Sequence, residues 1–93
     1  MKNERFKEKI VAVTGAARGI GKNIAQAFGR EGALTVICDI DEKKGKITAD
    51  ELSQDGIFAE FLKVDLREKN APQGMIRRIV ETHGKIDVLV NNA

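Results

Sequence analysis

Apolar residues in this chain fall into four short blocks, separated by segments with a different spacing of apolar positions. The first two blocks are apolar almost throughout, which favours strands buried on both faces of a sheet. In the third block, Glu60 and Lys63 interrupt the apolar run, so one end or edge of that strand should contact water. The predicted strands are residues 10–13, 34–38, 57–64 and 86–90.

The segment between the first two blocks has the apolar spacing of an α-helix. This first helix is predicted from about residue 19 to residue 31, and Gly32 supplies a C-terminal stop. Its apolar residues recur at i, i+4 and i+8, so they form one stripe that we expect to face the sheet. The predicted stripe and its neighbours are Ile20, Ile24, Ala25, Ala27 and Phe28.

Two further helices are predicted between the later strands. The second runs from Asp41, whose side chain can cap it, to about residue 54, and Gly45 should weaken it. The third opens at Asn70 and Pro72 and ends at Gly84, because proline is tolerated in a first turn and glycine favours a C-cap. The expected stripes are Ile47, Ala49 and Leu52 in the second helix, and Ala71, Met75, Ile76, Ile79 and Val80 in the third.

Alternation of strands and helices predicts an α/β fold with a parallel sheet and right-handed crossovers. The expected architecture is a truncated, Rossmann-like doubly wound sheet of about four strands in the order 3-2-1-4, with three helices. Residues 1–93 should form a single partial dinucleotide-binding domain. The first two helices should cover one face of this sheet, and the third helix should cover the other.

Three glycines follow the first strand directly. Gly15 permits a tight turn, Gly19 lets the backbone approach a pyrophosphate, and Gly21 lets the following helix pack close to the strand. Their spacing differs from both the G-x-G-x-x-G fingerprint and the ATP or GTP P-loop, which needs a following Lys-Ser or Lys-Thr. A phosphate-binding turn is therefore predicted, and an ordinary turn without a ligand is the alternative.

Polar residues also follow the other strands, where a parallel sheet brings its carboxyl ends together. Asp39 follows the second strand, Asp65 the third, and Asn91 and Asn92 the fourth. Asp39 can accept both hydroxyls of an adenosine ribose and would repel the 2′-phosphate of NADP, which favours NAD. Arg18 supports the alternative, NADP, because a guanidinium can pair with a phosphate. The further alternatives are that Arg18 lies along the adenine or is solvated, and that Asp39 only starts a loop in which Asp41 is the helix cap.

With these residues in place, the sequence resembles the short-chain dehydrogenase/reductase family from about Phe6 onward. TGAARGIG at 14–21 is similar to the family's TGxxxGxG cofactor loop, and 91–93 looks like the start of its NNAG motif. The resemblance implies an NAD(P)-dependent oxidoreductase that transfers a hydride between the cofactor and an alcohol or ketone. The cofactor-binding residues that it implies are Gly15, Arg18, Gly19, Ile20, Gly21, Asp39, Asp65, Leu66 and Asn92.

The same resemblance implies that the catalytic residues are absent. The family's Ser, Tyr and Lys all follow NNAG, and this chain contains no tyrosine. The expected function is therefore the cofactor-binding N-terminal half of such an enzyme, truncated and incapable of turnover. A stand-alone nucleotide-binding module and a self-associating structural module are the alternatives. Self-association is expected through the bare edge of the fourth strand or through the exposed sheet face.

Composition limits which partners, which cellular location and which roles of single residues are expected. The net charge of +2 is too small to indicate a nucleic-acid partner, and no apolar run approaches the length of a membrane span. The N-terminal residues lack a secretory h-region, so the cytoplasm is the expected location. The single cysteine, Cys38, should be buried and inert, and it excludes an internal disulfide. His83, the only histidine, is expected to be a solvated residue at a helix C-terminus.

Overall fold

A computed structural model describes residues 4–92, so the predicted motif residue Ala93 lies outside the described range. Within this range the elements alternate in the predicted order, and their ends differ from the predicted ends by at most two residues. The fourth strand shows the largest difference, because it begins at Val88 rather than at Ile86. The elements are β1 Ile10–Thr14, α1 Gly19–Arg30, β2 Leu34–Asp39, α2 Glu42–Gln54, β3 Phe58–Lys63, α3 Ala71–His83 and β4 Val88–Val90.

The four strands described form one parallel sheet in the order β3-β2-β1-β4, which confirms the predicted topology. Ile10 of β1 is level with Leu34 of β2, and Leu34 is level with Phe58 of β3. Val11 is level with Val88 on the other side of β1. The central position of β1 explains its sequence, because every residue of that strand is buried.

The two faces of the sheet carry separate hydrophobic cores. On one face, α1 and α2 pack on the strands through a cluster that includes Ala25, Leu52 and Ile37. On the other face, Met75 and Ile79 of α3 pack against a second cluster from the sheet. The predicted division of helices between the faces is thereby confirmed.

The sheet-facing stripe of α1 matches the prediction in part, because Ala25 is buried and both Ile24 and Phe28 pack against the core. Ile20 is 71% exposed, and Ala27 is also exposed. The buried residues of this helix are Gly21, Ala25 and Gly29, spaced four apart, and of these only the burial of Gly29 was not predicted. Because these side chains are small, the helix axis approaches the sheet closely, and the larger Ile20 in the first turn is left outside the contact. In the other helices, Ile47 and Val80 were also predicted to be buried and are exposed.

The ends of the second and third helices follow the predicted capping pattern. Asp41 accepts a hydrogen bond from the Lys44 backbone N–H at 3.0 Å, and Gly84 adopts a left-handed conformation at the end of α3. The prediction for His83 was wrong. Its side chain is only 13% exposed, and its Nε2 contacts a carboxylate oxygen of Glu60 in β3. This contact joins the last turn of α3 to the edge strand of the sheet.

Candidate functional site

The carboxyl ends of β1, β2 and β3 open into a cavity of about 340 Å³. Such ends meet at one edge of a parallel sheet, which is where open α/β sheets bind ligands. Four of the nine predicted site residues line this cavity: Gly15, Asp39, Asp65 and Leu66. The remaining lining residues are Thr14, Cys38, Ile40, Val64 and Arg67.

The glycine turn has the backbone conformation that its sequence predicts. Gly15 and Gly19 have φ angles of 64° and 63°, in the left-handed region that favours glycine. A Cβ atom at Gly19 would have no heavy atom within 4 Å, so the space beside that backbone is open. The first turn of α1 contains no acidic residue, and its N-cap, Arg18, makes no side-chain capping bond. The positive end of the helix dipole is therefore available to an anion.

Asp39 lies where β2 ends and is held by two backbone amides. Its Oδ2 accepts a hydrogen bond from the Ala17 N–H at 3.0 Å, and its Oδ1 accepts one from the Asp41 N–H at 3.0 Å. Both bonds fix the orientation of the carboxylate between the glycine turn and the start of α2. Each oxygen can still accept a further hydrogen bond, since a carboxylate has about four acceptor positions.

A second acidic residue beside this position was not predicted to belong to the site. Asp41 forms an ion pair with the guanidinium of Arg18 across the gap between the two helix starts. Sequence reasoning assigned Asp41 only to the capping of α2 and did not consider a protein carboxylate as the partner of Arg18. The ion pair depends on how closely the two helix N-termini approach each other, and no local pattern carries that information.

Asp65 lines the same cavity beyond the end of β3, and it has a cationic partner of its own. Arg67 donates to its carboxylate from the backbone N–H and from Nε, both at 3.0 Å to Oδ1, and from a terminal nitrogen at 3.0 Å to Oδ2. The guanidinium bonds and the backbone bond from Arg67 hold the pKa of Asp65 below its ordinary value. The carboxylate is therefore ionised at neutral pH and acts only as a hydrogen-bond acceptor.

The end of β4 is tied to the glycine turn through Asn92 and Thr14. The Asn92 N–H donates to Thr14 Oγ1 at 3.0 Å, and its side-chain Nδ2 donates to the Gly15 carbonyl oxygen at 3.3 Å. Thr14 in turn donates to Asn91 Oδ1 at 3.2 Å. Sequence reasoning missed Thr14, although a hydroxyl residue at the end of a fully apolar strand was a visible signal.

A second cavity of about 310 Å³ lies on the β4 side of the same sheet edge. It shares Thr14 and Leu66 with the first cavity, and Asn91 and Leu89 complete its β4 side. The predicted site residues thus lie at three positions. One group lines the first cavity, and the others lie at the start of α1 (Arg18, Gly19, Ile20, Gly21) or at the end of β4 (Asn92).

Other candidate sites find no support among residues 4–92. No group of at least three His, Cys, Asp or Glu side chains in this range could hold a metal ion. Cys38 is buried, and burial raises the pKa of its thiol to about 12, so it is not a nucleophile at neutral pH. No helix in the described range is long and apolar enough to cross a membrane.

Comparison with known proteins identifies one family and relatives that are similar in sequence and in fold. The sequence model of a family described as short chain dehydrogenase matches residues 9–93. An uncharacterized oxidoreductase of Thermotoga maritima is 42% identical over 85 residues, which are 91% of this chain and 33% of that protein. The chain thus spans about a third of the length of that relative.

Solved structures share the fold over nearly the whole chain. A short chain dehydrogenase from Mycobacterium smegmatis has a TM-score of 0.91 and 38% identity, and the match covers 100% of this chain and 40% of that one. A metagenomic short-chain oxidoreductase, solved in complex with NADP, has a TM-score of 0.89 and 36% identity over 95% of this chain and 40% of its own.

Proposed function

This chain belongs to the short-chain dehydrogenase family, and we propose that it is the cofactor-binding N-terminal part of an NAD-dependent oxidoreductase. The observation that carries the proposal is the cavity at the strand ends, which Gly15, Asp39, Asp65 and Leu66 line together. The match to the family covers the glycine turn and each of these strand ends. A nicotinamide cofactor would supply the hydride acceptor or donor of the reaction.

The residues present fit such a cofactor in charge and in space. The open backbone at Gly19 and the start of α1 would bind the pyrophosphate, with Gly15 and Ile20 beside it. Asp39 would accept the hydroxyls of the adenosine ribose. By resemblance to the family, Asp65 and Leu66 would hold the adenine, while Asn92 would support the nicotinamide-side ribose from the end of β4. Gly21 contributes indirectly, by letting α1 approach the glycine turn.

NAD is the favoured cofactor, and NADP is the alternative. A carboxylate that accepts from two backbone amides, as Asp39 does, is fixed in place and would repel a 2′-phosphate. Arg18, the cation that might have attracted one, is paired with Asp41. The solved relative with bound NADP shows that members of this fold can take the phosphorylated cofactor.

We further propose that residues 1–93 form one partial dinucleotide-binding domain that does not transfer hydride by itself. The sequence contains no tyrosine, the residue that the family resemblance assigns to proton transfer. A stand-alone nucleotide-binding module is the competing function. Hydride transfer between NAD and an alcohol, catalysed by the purified chain, would contradict this part of the proposal.

Self-association is proposed through the β4 edge. Among the described residues β4 is the outermost strand on its side of the sheet, and its Leu89 is exposed. Sedimentation of the chain at several concentrations tests this, and a monomer throughout would contradict it.

A cytoplasmic location is also proposed, since a free thiol such as Cys38 is compatible with a reducing compartment.

The test of the cofactor site is calorimetric titration of the chain with NAD and, separately, with NADP. NAD should bind more tightly, and Asp39→Asn should weaken NAD binding by about tenfold, because hydrogen bonds to a charged group would be lost. Asp50→Asn is the matched control, since Asp50 is exposed on α2 and lies outside the cavity lining. Equal effects of the two substitutions, or no binding of either cofactor, would refute the proposal.

A further inference from the structure

Asp41, which the site prediction did not include, lies beside the position proposed for the adenosine ribose. We propose that Asp41 is a specificity-determining residue that favours NAD by keeping the guanidinium of Arg18 away from a 2′-phosphate. This inference rests on the proposed function, because it needs a cofactor at the strand ends. The ion pair would favour NAD in addition to the repulsion of the 2′-phosphate by Asp39.

The two partners of the ion pair are anchored to different degrees. Asp41 is held in place by its backbone N–H, which donates to Asp39, and by its Oδ1, which accepts from the Lys44 N–H. Its remaining oxygen, Oδ2, contacts a terminal nitrogen of Arg18. The Arg18 side chain is 64% exposed, and this contact is its one ion pair in the described range. The anchored acid therefore determines where the cation lies.

Arg18 is also close in the chain to the group that would meet the ribose. Asp39 accepts a hydrogen bond from the N–H of Ala17, the residue directly before Arg18. A phosphate on the 2′-oxygen of a ribose held by Asp39 would therefore lie near the start of α1. A free guanidinium there could bind it through two parallel hydrogen bonds. Paired with Asp41, the same guanidinium must first break an ion pair.

Two contributions to the preference for NAD must be separated: repulsion of the 2′-phosphate by Asp39, and the pairing of Arg18 with Asp41. A substitution at Asp39 alone tests only the first. Removal of the Asp39 charge relieves repulsion but leaves Arg18 paired with Asp41. Removal of the Asp41 charge releases Arg18 but leaves the repulsion. Each change alone should therefore shift the preference only partly toward the phosphorylated ligand, and the two together should shift it further than either.

The test uses 5′-AMP and adenosine 2′,5′-bisphosphate, two probes that differ only in the 2′-phosphate. Their Kd values are measured by calorimetry at low salt for the parent chain, for Asp41→Asn, for Arg18→Gln and for the variant that carries both of these substitutions. Asparagine is chosen because it caps helices about as well as aspartate. In Asp41→Asn the Kd of the bisphosphate, relative to that of 5′-AMP, should fall about fivefold. In the Arg18→Gln background the same substitution should give no such fall.

Glu42→Gln is the control for net charge. Glu42 is the adjacent acid, and it pairs with Lys46 at 3.0 Å rather than with Arg18. An equal fall in Glu42→Gln, or in Asp41→Asn when Arg18 is absent, would mean a general charge effect and would overturn the inference. Binding of 5′-AMP without any Asp41-dependent change overturns the inference alone. Failure of 5′-AMP to bind the parent chain overturns the proposed function, and the inference with it.

Discussion

A Cβ atom at Gly21 would lie 2.3 Å from the carbonyl oxygen of Gly15. The same atom would lie 2.8 Å from the side-chain nitrogen of Asn92, which donates to that carbonyl. Three segments therefore meet at Gly21: the glycine turn, the first turn of α1 and the end of β4. The absence of a side chain at this one position permits the contact that shapes the proposed pyrophosphate site.

Gly21→Ala should accordingly destabilise the fold and weaken cofactor binding together. The added methyl group meets a backbone carbonyl, which cannot move without displacing the turn. We expect the free energy of unfolding to fall by about 1–3 kcal/mol, the usual cost of overpacking. Urea denaturation measures the first effect, and NAD titration of the remaining folded protein measures the second.

Gly74→Ala is the matched control for this substitution. Gly74 lies within α3, and a Cβ atom there would have no heavy atom within 4 Å. Alanine has the higher helix propensity, so this variant should gain about 0.5–1 kcal/mol of stability. If Gly21→Ala were stabilised to the same extent as Gly74→Ala, the close packing at Gly21 would be disproved.

A second prediction concerns Gly45, which the sequence marks only as a weak point in α2. A Cβ atom at Gly45 would lie 2.1 Å from Cε1 of Phe61, so the glycine lets α2 pack directly on β3. Gly45→Ala should therefore destabilise the chain by about 1–3 kcal/mol, although alanine is the better helix former. The measurement is a double-mutant cycle with Phe61→Leu, whose smaller side chain should relieve part of the loss. Strict additivity of the two substitutions would contradict this explanation.

These glycines show why the fold was more predictable than its packing. The strand order follows from apolar blocks separated by helical spacing, and the caps at Asp41 and Gly84 follow from residue type. In the predicted stripe of α1, Ile24 and Phe28 do pack against the core, but Ile20 was included wrongly because the periodicity weights large side chains. The close approach at Gly21 was predicted from the glycine turn, whereas the burial of Gly29 in the last turn of the helix was not. Hydrophobicity alone does not distinguish a small residue at a contact from a small residue in solvent.

The site was predictable to the extent that parallel strands end at one edge. Asp39 and Asp65 line one cavity for that reason. Their ion pairs were not predictable, because the pairing of Arg67 with Asp65 depends on a side-chain conformation in a loop. The contact of His83 with Glu60 was missed for a related reason. It depends on where α3 crosses the edge strand, and a helical pattern shows which face is apolar but not what its last turn meets.

The hydrogen bond between the Asp87 carboxylate and the Ile10 N–H should make part of the free energy of unfolding depend on pH. Asp87 Oδ2 accepts from the Ile10 N–H at 2.7 Å, and this bond, followed by the contact with Lys85, holds the pKa of Asp87 below its ordinary value of 3.8. A lowered pKa in the folded state means that the stabilisation is complete above that ordinary value and is lost as the pH falls through the lowered pKa. Asp87→Asn should therefore cost stability at pH 7 and progressively less below pH 3.8. A cost that is equal at both pH values would show that the Asp87 charge contributes nothing.

The last prediction concerns the thiol of Cys38, which lines the proposed cofactor cavity yet is only 1% exposed. Burial, with a smaller contribution from the neighbouring Asp39 carboxylate, raises its pKa to about 12. Thiol reagents attack the thiolate, so labelling of the folded chain at pH 7.5 should be slow and should become rapid once urea unfolds the chain. The measurement is the rate of reaction with an aromatic disulfide across a urea series, which should follow the unfolded fraction. Rapid labelling without urea would mean that the ends of β1 and β2 open locally. The cavity would then be too mobile to hold Asp39 in the orientation that the proposed choice of cofactor requires.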